Sequence, residues 1–173
     1  MHSNTLTSFL FCLFLLLFAN NTEAQLNYPI PHPEGYVSYL TSEKILIDGY
    51  LEEDSWASAE WSNSFVDIEG NKKPKPYLET KVKMLWDAEY FYFAASLEEP
   101  HLWATLRQRD TVIFYDNDIE IFIDPDGDTH GYYELEINAF NTIWDLLLPK
   151  PYREGGPAID HWDINGIKSA VAI

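Results

Sequence analysis

Residues 115–139 read YDNDIEIFIDPDGDTHGYYELEINA, and the fold hangs on whether this acidic stretch is a helix, a metal loop or a pair of strands. Ile119, Ile121 and Ile123 alternate with Glu120, Phe122 and Asp124, and Tyr133, Leu135 and Ile137 alternate with Tyr132, Glu134, Glu136 and Asn138. A period of two puts each set on its own face of a strand. The intervening DPDGDTHG is rich in turn formers, so the stretch reads as two antiparallel strands joined by a broad turn.

The same pattern extends on either side. In TKVKMLWDAEYFYFAASLEE, Val82, Met84 and Trp86 share one face, and Phe91, Phe93 and Ala95 share another, across the turn Asp87-Ala88-Glu89. NTIWDLLL and GIKSAVAI are further strand-like runs, separated by the Pro- and Gly-rich PKPYREGGPAIDHWDING. Ahead of them, KILIDGYLEEDSWASAEW combines a short apolar strand, the turn dipeptide Asp48-Gly49 and one helical turn with Trp56 and Ala59 inward. Many short strands with little helix predict an all-β antiparallel sandwich.

A chain of 173 residues suits one domain, and 46% hydrophobic with 16% aromatic residues is enough for a packed core. Eleven Lys and Arg against 28 Asp and Glu leave a net charge of −17. Such a surface repels phosphate backbones and anionic membranes, so nucleic acid is excluded as the expected partner. Neutral polar ligands and cations remain, as does plain surface solvation.

Phe9–Ala19 (FLFCLFLLLFA) is apolar, too short to span a bilayer, and followed by the small-x-small pattern Thr22-Glu23-Ala24. Residues 1–24 therefore read as a secretory signal peptide, although the segment before the apolar run lacks Lys and Arg. Export to the periplasm or the extracellular space is expected, with no membrane attachment after cleavage. The single cysteine, Cys12, lies inside this segment, so the mature chain has no thiol chemistry and no disulfide. Residues 25–43 form a Pro- and Tyr-rich lead-in, and residues 44–173 the domain.

Three chemistries compete for the carboxylates. Asp124, Asp126 and Asp128 have the spacing that opens an EF-hand, but Thr129 and Leu135 stand where that loop needs Gly and Glu. A hairpin turn is the better reading there, with Asp116 and Asp118 as alternative hard ligands for a structural calcium. Glycoside cleavage needs two carboxylates roughly 5 to 9 Å apart, one with a raised pKa. Glu120, Glu134, Glu136 and Asp145 could supply them, yet carboxylates on a sheet are more often solvated. The histidines are isolated, and no HExxH or GxSxG motif is present. Carbohydrate binding needs aromatic faces beside hydrogen-bonding groups. Arg107, Arg109, Asp118, Glu120, Asn138 and Trp144 lie within one strand system and could converge on its polar face. Trp56 and Trp86 read as packing residues, while Trp103, Trp144 and Trp162 stay open between packing and ligand.

The blocks ILIDGYLEEDSWASAEW, VKMLWDAEYFYFAASLEEPH, the DNDIEIFIDPDGD run with its downstream ELEINA, and KPYREGG together resemble the family 9 carbohydrate-binding modules, in their secreted, family 9-like branch. The resemblance implies a jelly-roll-like sandwich that binds poly- or oligosaccharides without catalysis, beside a fused or associated glycan-degrading enzyme. It also implies a structural calcium. Matched by position, Arg109, Glu120 and Asn138 would be polar sugar contacts, Trp144 the stacking aromatic, and Asp116 and Asp118 the metal ligands. Such sandwiches continue with a further strand beyond the point where this chain stops at AVAI, so a truncated sandwich is expected. The alternatives are a glycoside hydrolase acting through paired carboxylates and an exported module that binds something other than sugar.

Overall fold

A computed structural model describes residues 33–173, and the signal-peptide reading and the lead-in up to residue 32 fall outside the described residues. The compact unit runs from Tyr36 to Ile173. It is an all-β sandwich of two three-stranded sheets with almost no helix. The first sheet has the order β1-β2-β3, with β1 at Tyr39–Leu40, β2 at Thr80–Trp86 and β3 at Phe91–Leu97. The second has the order β4-β5-β6, with β4 at Asp118–Ile123, β5 at Tyr132–Asn138 and β6 at Ile143–Leu148. All pairings are antiparallel except β1 with β2, a two-residue parallel contact.

The β2–β3 hairpin closes where the sequence places its turn. Asp87 Oδ1 accepts the amides of Glu89 and Tyr90, and Oδ2 accepts the Tyr92 hydroxyl. A short side chain that captures the backbone two and three residues on replaces the ladder bonds that the reversal gives up. The pairing Leu85↔Tyr92 and Lys83↔Ala94 puts these residues on the face opposite the Val82, Met84 and Trp86 set. That opposite face is the more deeply packed: Leu85, Tyr92 and Ala94 bury against Ile45, Trp56 and Ala59. Val82 is also buried, whereas Trp86 is 44% exposed, so its expected packing role is corrected. It lies at the end of β2, where its indole N–H donates to the Ser38 carbonyl.

Helix α1, Asp54–Ser58, is the expected single turn, with Trp56 and Ala59 inward. Its first free amides are met from outside the helix, since Glu43 accepts the Ser55 N–H. Lys44–Asp48 is not a strand, contrary to expectation. Ile45 still enters the core, but the Glu53 carboxylate, not a neighbouring strand, accepts the Leu46 amide. The turn at Gly49 has φ +90°, and a Cβ there would stand 2.7 Å from the Ala172 backbone nitrogen. Only glycine meets both demands. The run 166–173 that contacts it joins neither sheet, so the strand expected there is absent among the described residues.

The second sheet has a separate core of Ile113, Trp144, Leu146 and Leu148, with Leu106, Val112, Tyr132 and Ala158 packed against it. The segment 105–116 covers this face of the sheet. No helix among the described residues is long and apolar enough to cross a membrane.

Candidate functional site

Register alone assembles the acidic residues. β4 and β5 pair Asp118↔Asn138, Glu120↔Glu136 and Phe122↔Glu134, and β5 and β6 pair Glu136↔Trp144. Because alternate residues share a face, Asp118, Glu120, Phe122, Glu134, Glu136, Asn138 and Trp144 lie on one side of the second sheet. Asp145, next to Trp144, points to the other side.

Burial then divides this face. Glu136 is 1% exposed and Glu134 4%, whereas Glu120 is open to solvent. Asp118 and Glu136 approach each other closely, and Asp118 Oδ2 and Glu136 Oε2 are buried without a donor from any other group. Burial, reinforced by the charges of Asp118 and Glu120, pushes Glu136 up to about 8. Burial and then the Glu120 charge push Asp118 up to about 6. Glu134 is raised as well, chiefly by burial and partly offset by the hydroxyl it accepts from Tyr152. Desolvation without a compensating donor is what makes a carboxylate hard to ionise.

Asp116, two residues away, is the opposite case. Its carboxylate accepts the amides of Thr105 and Leu106, the Thr105 hydroxyl and the Asn138 amide, all at 2.8–2.9 Å. Burial opposes its ionisation, but these donors outweigh burial and hold the carboxyl down at about 2. Asn138 is equally committed. Its Nδ2 donates to Leu106 O and Asp116, and its Oδ1 accepts the amides of Phe140 and Thr142.

The expected constellation is therefore only partly gathered. Asp118, Glu120, Asn138 and Trp144 do share a face, but only Glu120 among them is exposed. Trp144 is 9% exposed and belongs to the core, with Phe114 laid against it at 5.9 Å between ring centres. Its ring is covered and does not form an open stacking platform. The Arg109 guanidinium is drawn to the other side of the sheet, where it pairs with fully buried Asp145 and, at 2.9 Å, with Asp163. Arg107 lies over the Phe140 ring at 3.4 Å. Trp162 stacks on Tyr133, and Trp103 is exposed.

The metal assignment divides in the same way. Asp116 does not fit a cation, because its oxygens already hold four donors. Asp118 fits one together with Glu120 and Glu136, since one oxygen of each lies within 4.8 Å of the others. Asp124, Asp126 and Asp128 also lie that close but are all exposed. Asp124 there accepts the Gly127 and Thr129 amides, the work of a hairpin turn.

Sequence reading did not single out the aromatic side chains that border this face. Phe114 and Tyr115 sit in the 3-10 turn Ile113–Tyr115 just before β4, with ring centres 4.9 Å apart. They are 52% and 74% exposed, and Phe122, two residues after Glu120, is 52% exposed. Tyr152, half exposed, reaches Glu134 from the loop after β6. The only sequence signal for Phe114 and Tyr115 is a four-residue apolar run, VIFY at 112–115, that breaks strand alternation next to an acidic strand.

Neither the comparison with curated proteins nor the comparison with solved structures gives a match. The model of one protein family, described as carbohydrate family 9 binding domain-like, matches residues 47–146, more than half of the chain and all of the paired-carboxylate sheet up to Leu146. With the two-sheet all-β architecture and an aromatic-bordered polar face inside the matched span, the chain belongs to the carbohydrate family 9 binding domain-like family and carries a carbohydrate-binding module.

Proposed function

We propose that the protein is an exported, non-catalytic module that holds a poly- or oligosaccharide at the exposed β4 margin of the carboxylate face, in the service of glycan breakdown by a fused or associated enzyme. The observation that carries this reading is that exposed Phe122 shares a face of β4 with the exposed carboxylate of Glu120, on a sheet face bordered by Phe114, which lies against Trp144, and by Tyr115 beside it. A sugar ring has an apolar face for an aromatic ring and hydroxyls that donate to a carboxylate. The apolar run Phe9–Ala19 with its cleavage pattern supports export. A structural calcium would be held by Asp118 with Glu120 and Glu136 and would supply fixed positive charge between β4 and β5.

Hydrolysis through the paired carboxylates is less well supported. Glu136, the one group on this face raised to about 8, is 1% exposed and out of reach of a glycosidic oxygen. Calorimetric titration of the protein with xylo- and cello-oligosaccharides tests the binding reading. Saturable heat is expected, weakened about tenfold in Tyr115→Ala. Absence of heat from the folded protein with every oligosaccharide sinks it.

A further inference from the structure

Asp118 Oδ2 and Glu136 Oε2 are buried without a hydrogen-bond donor from any other group, the two carboxyls lying close enough to bond each other when one carries a proton, and Glu136 is 99% buried. Carboxylate oxygens only accept. Two of them facing each other in a dry space therefore need a positive charge or a proton between them. With Glu120 they form a triad whose oxygens lie within 4.8 Å of one another. Calcium takes oxygens at about 2.3–2.6 Å, so ligands on opposite sides of the ion stand up to about 5 Å apart. Three hard anionic ligands and no nitrogen or sulfur also select calcium over softer metals.

The triad cannot complete the coordination of that ion. Calcium takes about 6–8 oxygens. The second oxygen of Glu136 is committed to the backbone of Phe114, and Asp116 is filled by its own donors. The side left open is that of Glu120, the exposed member, and Phe122, two residues on along the same face of β4, is exposed as well. We propose that Asp118, Glu120 and Glu136 hold a calcium ion that belongs to the glycan site itself, its remaining positions being taken by adjacent hydroxyl oxygens of the sugar. Calcium then does more than brace the sheet. This rests on the glycan-binding reading and adds to it how the sugar is gripped. Neutral sugars are the ligand class implied, because an ion that accepts hydroxyl oxygens lets an acidic face bind an uncharged ring.

The test is calorimetry of the whole chain in two steps, first with calcium chloride and then with xylo- and cello-oligosaccharides, in calcium and in EDTA. The expected result is saturable calcium heat, oligosaccharide binding at least about tenfold tighter in calcium than in EDTA, and loss of both in Glu120→Gln. Glu120 is exposed, so that variant keeps the fold, which circular dichroism checks independently of Glu136→Gln. Equal sugar affinity in calcium and EDTA overturns the proposal while leaving the binding module intact. Absence of calcium heat overturns it as well. Calcium heat without sugar binding in either condition removes the glycan reading and, with it, this inference.

Discussion

The two sheets bury polar groups on opposite terms. In the first, the buried polar side chains are one lysine and two hydroxyls, Lys83, Thr41 and Ser55, and the hydroxyls bond each other. Lys83 donates to the Trp56 carbonyl at 2.6 Å and lies 4.7 Å from the Trp61 ring centre, and burial lowers its pKa. In the second, four carboxylates and an amide are buried: Asp116, Glu134, Glu136, Asn138 and Asp145. Asp116 and Asp145 are matched with donors or with Arg109, whereas Glu136 is left with an unpartnered oxygen. A buried ionic group stabilises only when its hydrogen bonds are complete. Single unpartnered atoms lie beside both sheets, Glu53 Oε2 and the Trp56 indole N–H at the first and the Trp144 indole N–H at the second, but only in the second do two carboxylates, Asp118 and Glu136, strand their oxygens in one shared space.

That contrast is broken or sharpened by three measurements. Trp56→Ala should have the largest effect, about 3–5 kcal/mol in urea unfolding, because it empties the centre of the first core. A cost as small as a surface substitution would mean that this cluster does not carry the domain.

Next comes Asp116→Asn. The folded carboxyl titrates near 2, below the roughly 3.9 of an unfolded Asp. Its stabilisation is therefore complete above about pH 4 and is lost as the pH falls through about 2. Acid unfolding followed by circular dichroism should show this limb in the wild type and a flatter one in the variant, which also unfolds more easily at neutral pH. An unchanged acid limb would place the sensitivity elsewhere.

The smallest effect, and the most telling, is Glu136→Gln in EDTA. The folded carboxyl is raised to about 8 from the roughly 4.3 of an unfolded Glu. Stability is thus fully present below about pH 4.3 and is lost as the pH rises through about 8. The neutral amide escapes that loss, so the variant should be the more stable protein at pH 8, by on the order of 1 kcal/mol. A destabilised variant at that pH would make Glu136 a structural anchor and align the second sheet with the first.

Much of the fold was legible because strands announce themselves locally. The alternation around Ile119–Ile123 and Tyr133–Ile137 placed β4 and β5, and the Asp87 turn placed the first hairpin. Lys44–Asp48 and 166–173 carry the same apolar pattern yet join no sheet, since a strand also needs a partner, which pattern cannot supply. Within the site, Glu120 and the shared face of Asp118, Asn138 and Trp144 followed from period and register. Which of them stay open did not.

Sequence by itself determined the class of the domain, its acidity and the alternation that lines carboxylates along one face of a sheet, because these depend on residue type and a period of two. Tertiary structure alone decided which carboxylates are satisfied and which are stranded. Thr105, Leu106 and Asn138 converge on Asp116, Arg109 turns to Asp145, and one oxygen of Glu136 is left without a donor. Donors that far apart in sequence meet only when the chain has folded, and a carboxylate's charge depends on what meets it there.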